Sequence, residues 1–516
     1  MNANLFALFQ SRFPADLDQP VIETAAGKIH SYGELATIVS CYAGHIRALG
    51  VVPGDRVAVQ VEKSPEALFL YLACLKAGAV YLPLNSGYQE GEVDYFLGDA
   101  EPKIFVHQPK SAAWAKSLCD KHGIVHRYLL PAEQDAVKDG SGGRDWSKIA
   151  LEAAPMLEIA LRNAEDLAAI LYTSGTTGRS KGAMITHRNL SSNAVTLHHV
   201  WGFQPGDVLL HTLPLFHVHG LFVACHTALL NGSKMIFHAK FDARAAIAAL
   251  PHASVFMGVP TMYVRLLAEP DFTRECCKHV RLFVSGSAPL LAETFEEFRE
   301  RTGHTILERY GMTETGMITS NPLLGEVGRV GGTVGMPLPG VSVRVMDDEG
   351  RQCVTDDIGH LQVRGDNVLP GYWRLPEKNQ EEFTADGYFK TGDIGKIDAH
   401  GYVSIVGRSK DLIISGGYNV YPKEIEMLVD ALDGVSESAV IGLPHADFGE
   451  AVVAVVVARP SVPALNENDI IAALKSKLAA FKVPKRVFLV EDLPRNAMGK
   501  VQKNELRKRY ASIFSM

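Results

Sequence analysis

Tyr172-Thr-Ser-Gly-Thr-Thr-Gly-Arg-Ser-Lys-Gly182 is a stretch crowded with hydroxyls and glycines that ends in a single lysine. That composition suits phosphate. Glycines let backbone N–H groups converge on an anion, hydroxyls donate further hydrogen bonds, and the lysine adds charge. The preceding Asp166-Leu-Ala-Ala-Ile-Leu171 is apolar enough to be a buried strand delivering the loop. The pattern is not the P-loop of the common nucleotidases, which needs Gly-Lys followed by Ser or Thr. Here Lys181 lies between Ser180 and Gly182. A plain flexible linker would have no apolar strand beside it.

Four further clusters carry chemistry. Glu308-Arg-Tyr-Gly-Met-Thr-Glu-Thr315 combines a π-face, a hydroxyl donor and a hard oxygen ligand. Tyr388-Phe-Lys-Thr-Gly-Asp393, followed by Gly407-Arg408, sets a carboxylate and a guanidinium in one region, although a Thr-Gly-Asp turn alone is common. Leu213-Pro-Leu-Phe-His-Val-His-Gly-Leu221 holds His217 and His219, a possible zinc pair that lacks a third ligand nearby. Leu493-Pro-Arg-Asn-Ala-Met-Gly-Lys-Val501 places Lys500 on a Gly-flanked loop; by itself such a lysine is usually a solubilising charge, as Lys503 and Lys508 are.

Taken in order along the whole chain, these motifs resemble the signatures of the acyl-adenylate-forming superfamily, which includes acyl-CoA synthetases, luciferases and peptide-synthetase adenylation domains. The chemistry of such enzymes joins two anions, a carboxylate and the α-phosphate of ATP, and so needs positive charge and oriented donors there. The resemblance implies the roles that follow. ATP or AMP is bound by Thr173, Ser174, Gly175, Thr176, Thr177, Gly178 and Lys181, by Gly286 and Ala288, and by Arg309, Tyr310, Gly311, Met312 and Thr313. Tyr310 stacks near adenine and Thr313 contacts the α-phosphate. Glu314, with Thr176, holds Mg²⁺. Asp393 and Arg408 clamp the ribose. Lys500 completes adenylation, and His217 stands at the mouth of the acyl pocket. Ser415, Gly416 and Gly417, within Ile414-Ser-Gly-Gly-Tyr-Asn-Val420, line the channel for CoA, and Lys410 is the hinge. Arg179-Ser180 is a mild departure, since many relatives have Pro before the lysine.

The acid is read from a narrower resemblance. Val259-Pro-Thr-Met-Tyr-Val-Arg265 and Val284-Ser-Gly-Ser-Ala-Pro289 are similar to the pocket of the malonyl-CoA synthetases. There the counterparts of Arg265 and Ser287 hold a second carboxylate, beside those of His217 and Met312. Guanidinium binds carboxylate through paired, charge-assisted hydrogen bonds. Acetate or a fatty acid would leave that cation unpaired, at a cost on the order of 2–5 kcal/mol. The implied reaction turns malonate, ATP and CoA into malonyl-CoA, AMP and pyrophosphate. Methylmalonate, a short monocarboxylate, or a separate carrier protein as acceptor are the alternatives. A degenerate adenylate binder is disfavoured by retention of Lys500, Glu314 and Asp393.

These residues need elements to hold them. Arg56-Val-Ala-Val-Gln-Val61, Lys103-Ile-Phe-Val106, Ser254-Val-Phe-Met257 and Arg281-Leu-Phe-Val284 read as buried strands, with a buried helix at Pro65-Glu-Ala-Leu-Phe-Leu-Tyr-Leu-Ala-Cys-Leu75. Such alternation implies parallel sheets covered by helices. After Gly332, short alternating strands at Val341-Ser-Val-Arg-Val345, His360-Leu-Gln-Val363 and Tyr402-Val-Ser-Ile-Val406 fit a small antiparallel barrel or sheet. The last hundred residues offer a helix from Pro422, strands at Ser438-Ala-Val-Ile441 and Ala451-Val-Val-Ala-Val-Val-Val457, and a helix over 470–481. The expected architecture is α/β. A large domain over 1–409 carries doubly wound, mostly parallel sheets and a β-rich part from about 333. A mobile α+β domain over 410–516 brings Lys500. Lys138-Asp-Gly-Ser-Gly-Gly-Arg144 reads as a surface loop.

Composition bounds the partners. At 516 residues the chain exceeds one core, and 47% hydrophobic with 21% charged residues is ordinary for a globular protein. A net charge of −7 argues against general affinity for nucleic acid or anionic membrane. No apolar run reaches a membrane span. The start, Met1-Asn-Ala-Asn-Leu-Phe-Ala-Leu-Phe-Gln10, has no basic segment of a secretory signal and reads as a short amphipathic helix. Seven cysteines without metal spacing fit reduced thiols in a cytoplasmic compartment. The partners are then a small dicarboxylate, ATP and CoA, plus enzymes that acetylate or deacetylate Lys500, since acetylation removes its charge.

Overall fold

The computed structural model describes residues 2–132, 144–173, 180–324, 328–416, 418–445, 447–459, 466–475, 477–496 and 499–514. The expected sites Ser174, Gly175, Thr176, Thr177, Gly178 and Gly417, and most of the loop expected at 138–144, lie outside these residues. Contacts divide the chain into two compact units, Met1–Ser342 with Arg364–Gly387, and Val343–Val363 with Tyr388–Met516.

The first unit is built on two sheets. One runs in the order Arg144–Asp145, His126–Leu129, Ile104–His107, Arg56–Gln60, Val80–Pro83, Leu167–Thr173, Lys181–Thr186. Its strands are parallel except for the last pair, which is an antiparallel hairpin. The other sheet places Leu282–Ser285, Val255–Gly258, Val208–His211 and Lys234–Phe237 side by side in parallel at its centre. Antiparallel strands Leu307–Met312 and Gly316–Ser320 extend one side. Strands buried on both faces read as continuous apolar runs, which is why these were recognisable.

Helix Pro65–Ala77 shows how closely sequence and structure agree here. Ser64 caps it by accepting from the Ala67 N–H, proline fills its first turn, and Gly78 closes it in the left-handed region at φ 76°. All its residues but Glu66 are buried, so it packs on every side. The N-terminal helix, Leu5–Gln10, buries Leu5, Phe6 and Phe9. A second core gathers Phe256, Tyr263, Phe283 and Phe298 beneath helices Pro260–Leu267 and Ala292–Thr302.

The second unit contains a four-stranded sheet of Ser342–Met346, Gly359–Arg364, Phe389–Ile397 and Val403–Arg408, with antiparallel pairing along its last three strands. It also contains a five-stranded sheet centred on the long antiparallel pair Val435–His445 and Gly449–Ala458. Helices Pro422–Asp430 and Glu467–Lys475 cover its core of Ile413, Val440 and Val456. The helix expected over 470–481 instead occupies Glu467–Lys475. Leu478 and Phe481 still pack against that core, but from irregular chain, with Phe481 stacked on Tyr418 at 4.6 Å. Tertiary packing satisfies these apolar side chains without helical periodicity.

Candidate active site

In the first unit the hairpin Leu167–Thr173 and Lys181–Thr186 pairs Thr173 directly with Lys181. The two ends of the phosphate-type loop therefore sit opposite each other at the end of a buried strand. The Thr173 hydroxyl donates to Glu314 Oε1 at 3.1 Å, and the Tyr372 hydroxyl donates to the same oxygen at 3.2 Å. Lys181 Nζ lies 4.4 Å from the centre of the Tyr372 ring and 3.1 Å from Glu382 Oε1. Two carboxylates, one lysine and two hydroxyls thus form a connected polar network. Tyr372 and Glu382 belong to no motif legible in the sequence. They lie about two hundred residues beyond the loop they serve, and only tertiary folding shows the connection.

Strand Leu307–Met312 turns through 313–315 into Gly316–Ser320, presenting Tyr310, Thr313 and Glu314 at its end. A side chain at Gly311 would lie 2.1 Å from the Gly316 carbonyl, so only glycine permits that tight pairing. Tyr310, Met312 and Thr313 are half-buried; Glu314 is buried. Glu314 Oε2 takes no hydrogen bond from the described residues. A single carboxylate oxygen left open beside a phosphate loop suits Mg²⁺, which is usually held by one or two carboxylates plus substrate phosphates. Among the described residues no group of three or more His, Cys, Asp or Glu side chains is arranged to hold a metal ion.

A second region of the first unit is marked by buried polar atoms without hydrogen-bond partners among the described residues. Arg309 is fully enclosed, and its Nε and Nη2 find no hydrogen-bond partner among the described residues. Burial lowers its guanidinium to about 9. It lies flat against Gly286, where a Cβ would come within 2.5 Å of the guanidinium carbon. The next residue, Ser287, adopts φ 74°, an uncommon conformation for a residue with a side chain. Its hydroxyl is 3.3 Å from His219 Nδ1. Burial first, then the charge of Arg309, hold His219 neutral. His217, half-buried, stands at the start of the π-helix His219–Cys225; such helical irregularities are frequent at functional sites. Arg265 is exposed on helix Pro260–Leu267 and engages no described acid.

The second unit carries its own cluster. Asp393 and Arg408 face each other across adjacent strands, with Arg408 Nε 2.6 Å from the buried Asp393 Oδ1. Lys410 sits exposed in the short turn Ser409–Asp411. Ser415 is buried, and the Gly416 N–H donates to the Phe448 carbonyl at 2.8 Å. Lys500 is exposed on a hairpin in which Arg495 bridges to Val501.

Residues 10–373 match the AMP-binding enzyme family, and residues 424–500 match the AMP-binding enzyme C-terminal domain. The chain belongs to the AMP-binding enzymes. The crystal structure of ATP-bound MatB from Rhodopseudomonas palustris superposes with a TM-score of 0.94 at 52% identity, covering 100% of both chains. The mitochondrial malonate–CoA ligase of Mus musculus is 36% identical, over 93% of this chain and 86% of that protein. A feruloyl-CoA synthase of an Amycolatopsis species is 35% identical over 94% of each. Relatives of nearly equal similarity thus carry names with different acids, so the acid has to be argued from the pocket. The fold is that of the AMP-binding enzymes, a large α/β body with a small C-terminal domain. Among the described residues no helix is long and apolar enough to cross a membrane.

Proposed function

We propose that this chain is a malonate–CoA ligase. Malonate attacks the α-phosphate of ATP, releasing pyrophosphate and forming malonyl-AMP. The thiol of CoA then displaces AMP, losing its proton and giving malonyl-CoA. The observation that carries the choice of acid is Arg309, a buried guanidinium against Gly286 with two nitrogens that find no partner among the described residues. Arg265, exposed on helix Pro260–Leu267, engages no described acid and is the second cation that the reading assigns to the substrate's far carboxylate. Leaving one buried cation unpaired costs on the order of 2–5 kcal/mol, or roughly thirtyfold or more in preference. The relatives named as malonate–CoA ligases support the same reading.

On this reading Lys181 and the hydroxyls around it take the phosphates, Asp393 and Arg408 hold the ribose, and Tyr310 offers a face for adenine. Glu314, with Thr176, would hold Mg²⁺, which neutralises phosphate charge when bound. His217 governs passage at the acyl pocket, and Ser415 and Gly416, with Gly417, line the path of CoA. Lys410 is the hinge between a body over 1–409 and a mobile domain over 410–516, through which Lys500 is presented for adenylation and withdrawn for thioester formation. The reaction takes place in the cytoplasm, consistent with seven free thiols. Acetylation of Lys500 would stop the first step by removing its charge.

The test is AMP release over malonate, methylmalonate, acetate, butyrate and ferulate, with free CoA or a carrier protein as acceptor. Malonate with CoA is expected to have the highest kcat/KM. A monocarboxylate used as efficiently as malonate overturns the assignment.

A further inference from the structure

We propose that Arg495 is a positioning residue that sets the placement of Lys500 for adenylation alone, an inference that rests on the ligase reading above. Gly499 immediately precedes Lys500, and Arg495 Nη1 donates to its carbonyl at 2.6 Å. The other arm of the guanidinium, Nη2, pairs with Glu437 on strand Val435–His445. That strand is half of the antiparallel pair on which the second unit is built. Arg495 therefore ties the peptide carrying the lysine to a rigid sheet through one planar group.

Leu493 and Val501, at the two ends of the hairpin, pack on the sheet's core with Ala439 and Ile441, and local bonds shape the turn between them. The Asn496 N–H donates to the Lys500 carbonyl and the Lys500 N–H to Asn496 Oδ1, both at 3.0 Å. The Gln502 N–H donates to the Pro494 carbonyl at 2.7 Å. The Arg495–Glu437 link adds a polar tie from the sheet to the Gly499 peptide beside the lysine, and a guanidinium fork suits a two-sided bridge that a lysine ammonium, a single point charge, cannot span in the same way. Small misplacements of a charge-neutralising group, near 1 Å, cost about a hundredfold in rate.

The experiment uses the full chain and separates the half-reactions: pyrophosphate release from malonate and ATP, and thioester formation from presynthesised malonyl-AMP and CoA. Arg495→Ala is expected to lower kcat for pyrophosphate release by about 30–100-fold. KM for ATP and the thioester step should stay within about twofold, because Lys500 serves the first step only. Glu437→Gln, which keeps the arginine and the shape of the side chain, should show the same split at about 3–10-fold. Arg495→Lys should recover part of the loss. Equal losses in both half-reactions for both variants, or adenylation within twofold of the parent for both, overturn the proposal. Lys500→Ala run alongside keeps the two readings apart: if that variant adenylates normally, the ligase mechanism fails rather than the role of Arg495.

Discussion

Lys181 and Lys500 make an instructive pair. Lys181 ends a strand that is hydrogen-bonded along its length, and its side chain is 12% exposed, held between the Tyr372 ring and Glu382. Lys500 is exposed on a hairpin whose ends pack on the sheet and whose Gly499 peptide is tied to it by one arginine. The first is a fixed charge in a preorganised network; the second is a charge on a short support in a separate compact unit. A cation that must hold nucleotide throughout belongs on a rigid sheet, where no reorganisation is needed at the moment of reaction. A cation needed for one half-reaction and not the other belongs on an element that can leave.

The sharpest way to break this contrast is Lys500→Ala. Pyrophosphate release should fall by about a thousandfold or more, the order lost when a principal charge-stabilising group is removed. Conversion of malonyl-AMP to thioester should survive. Parallel failure of both steps in a folded protein would erase the distinction between fixed and delivered charge.

Next in size is the acyl pocket. Arg309→Met should lower kcat/KM for malonate by about a hundredfold, leave KM for ATP near its parent value and reduce acetate activity far less. Because it removes an unpaired buried charge, it should also raise Tm. A large rise in KM for ATP would return Arg309 to the nucleotide side, where motif resemblance placed it. Arg265→Ala should likewise cost malonate more than acetate or butyrate, by about fivefold at most, the scale of an exposed ion pair.

Glu308 gives a prediction in pH. Burial lifts its carboxyl to about 8 from an ordinary 4.5, partly opposed by the Gly332 N–H at 3.3 Å. Between those values the folded chain keeps a proton that the unfolded chain has lost. This group's contribution to stability therefore declines as pH rises through the window and levels off above about 8. Glu308→Gln should remove that decline, so the difference in unfolding free energy between variant and parent should widen from pH 5 to pH 8, by about 1.4 kcal/mol per pH unit at most. A constant difference would mean that Glu308 is ionised in the folded protein.

The smallest effect concerns the fixed lysine itself. Glu382 neutralises Lys181 in the nucleotide-free chain and stands where phosphate charge would compete for it. Glu382→Gln should lower KM for ATP by about threefold with kcat unchanged, the scale of a partly exposed ion pair. A higher KM would show that Glu382 orients the lysine instead.

The strand that delivers the phosphate loop, the buried helix from Pro65, the parallel strands and the β-rich region were legible because each depends on local composition and period. The helix over 470–481 was overextended because apolar residues can meet a core from irregular chain. Tyr372 and Glu382 were invisible because nothing near Lys181 in the chain announces a partner two hundred residues later. Arg309 was read with its neighbours in a motif, whereas its enclosure against Gly286 depends on how two adjacent strands approach each other.

By itself, the order of residues determined which groups are available: hydroxyls and glycines for phosphate, two lysines far apart, and arginines suited to a dicarboxylate. Those are properties of side-chain chemistry and short-range spacing, and they do not depend on the path of the chain. Which charges are buried without partners, which acid neutralises Lys181 and what anchors the Lys500 hairpin were decided only when distant segments packed together. Burial and desolvation are properties of the assembled molecule, and they set how strongly each charge acts.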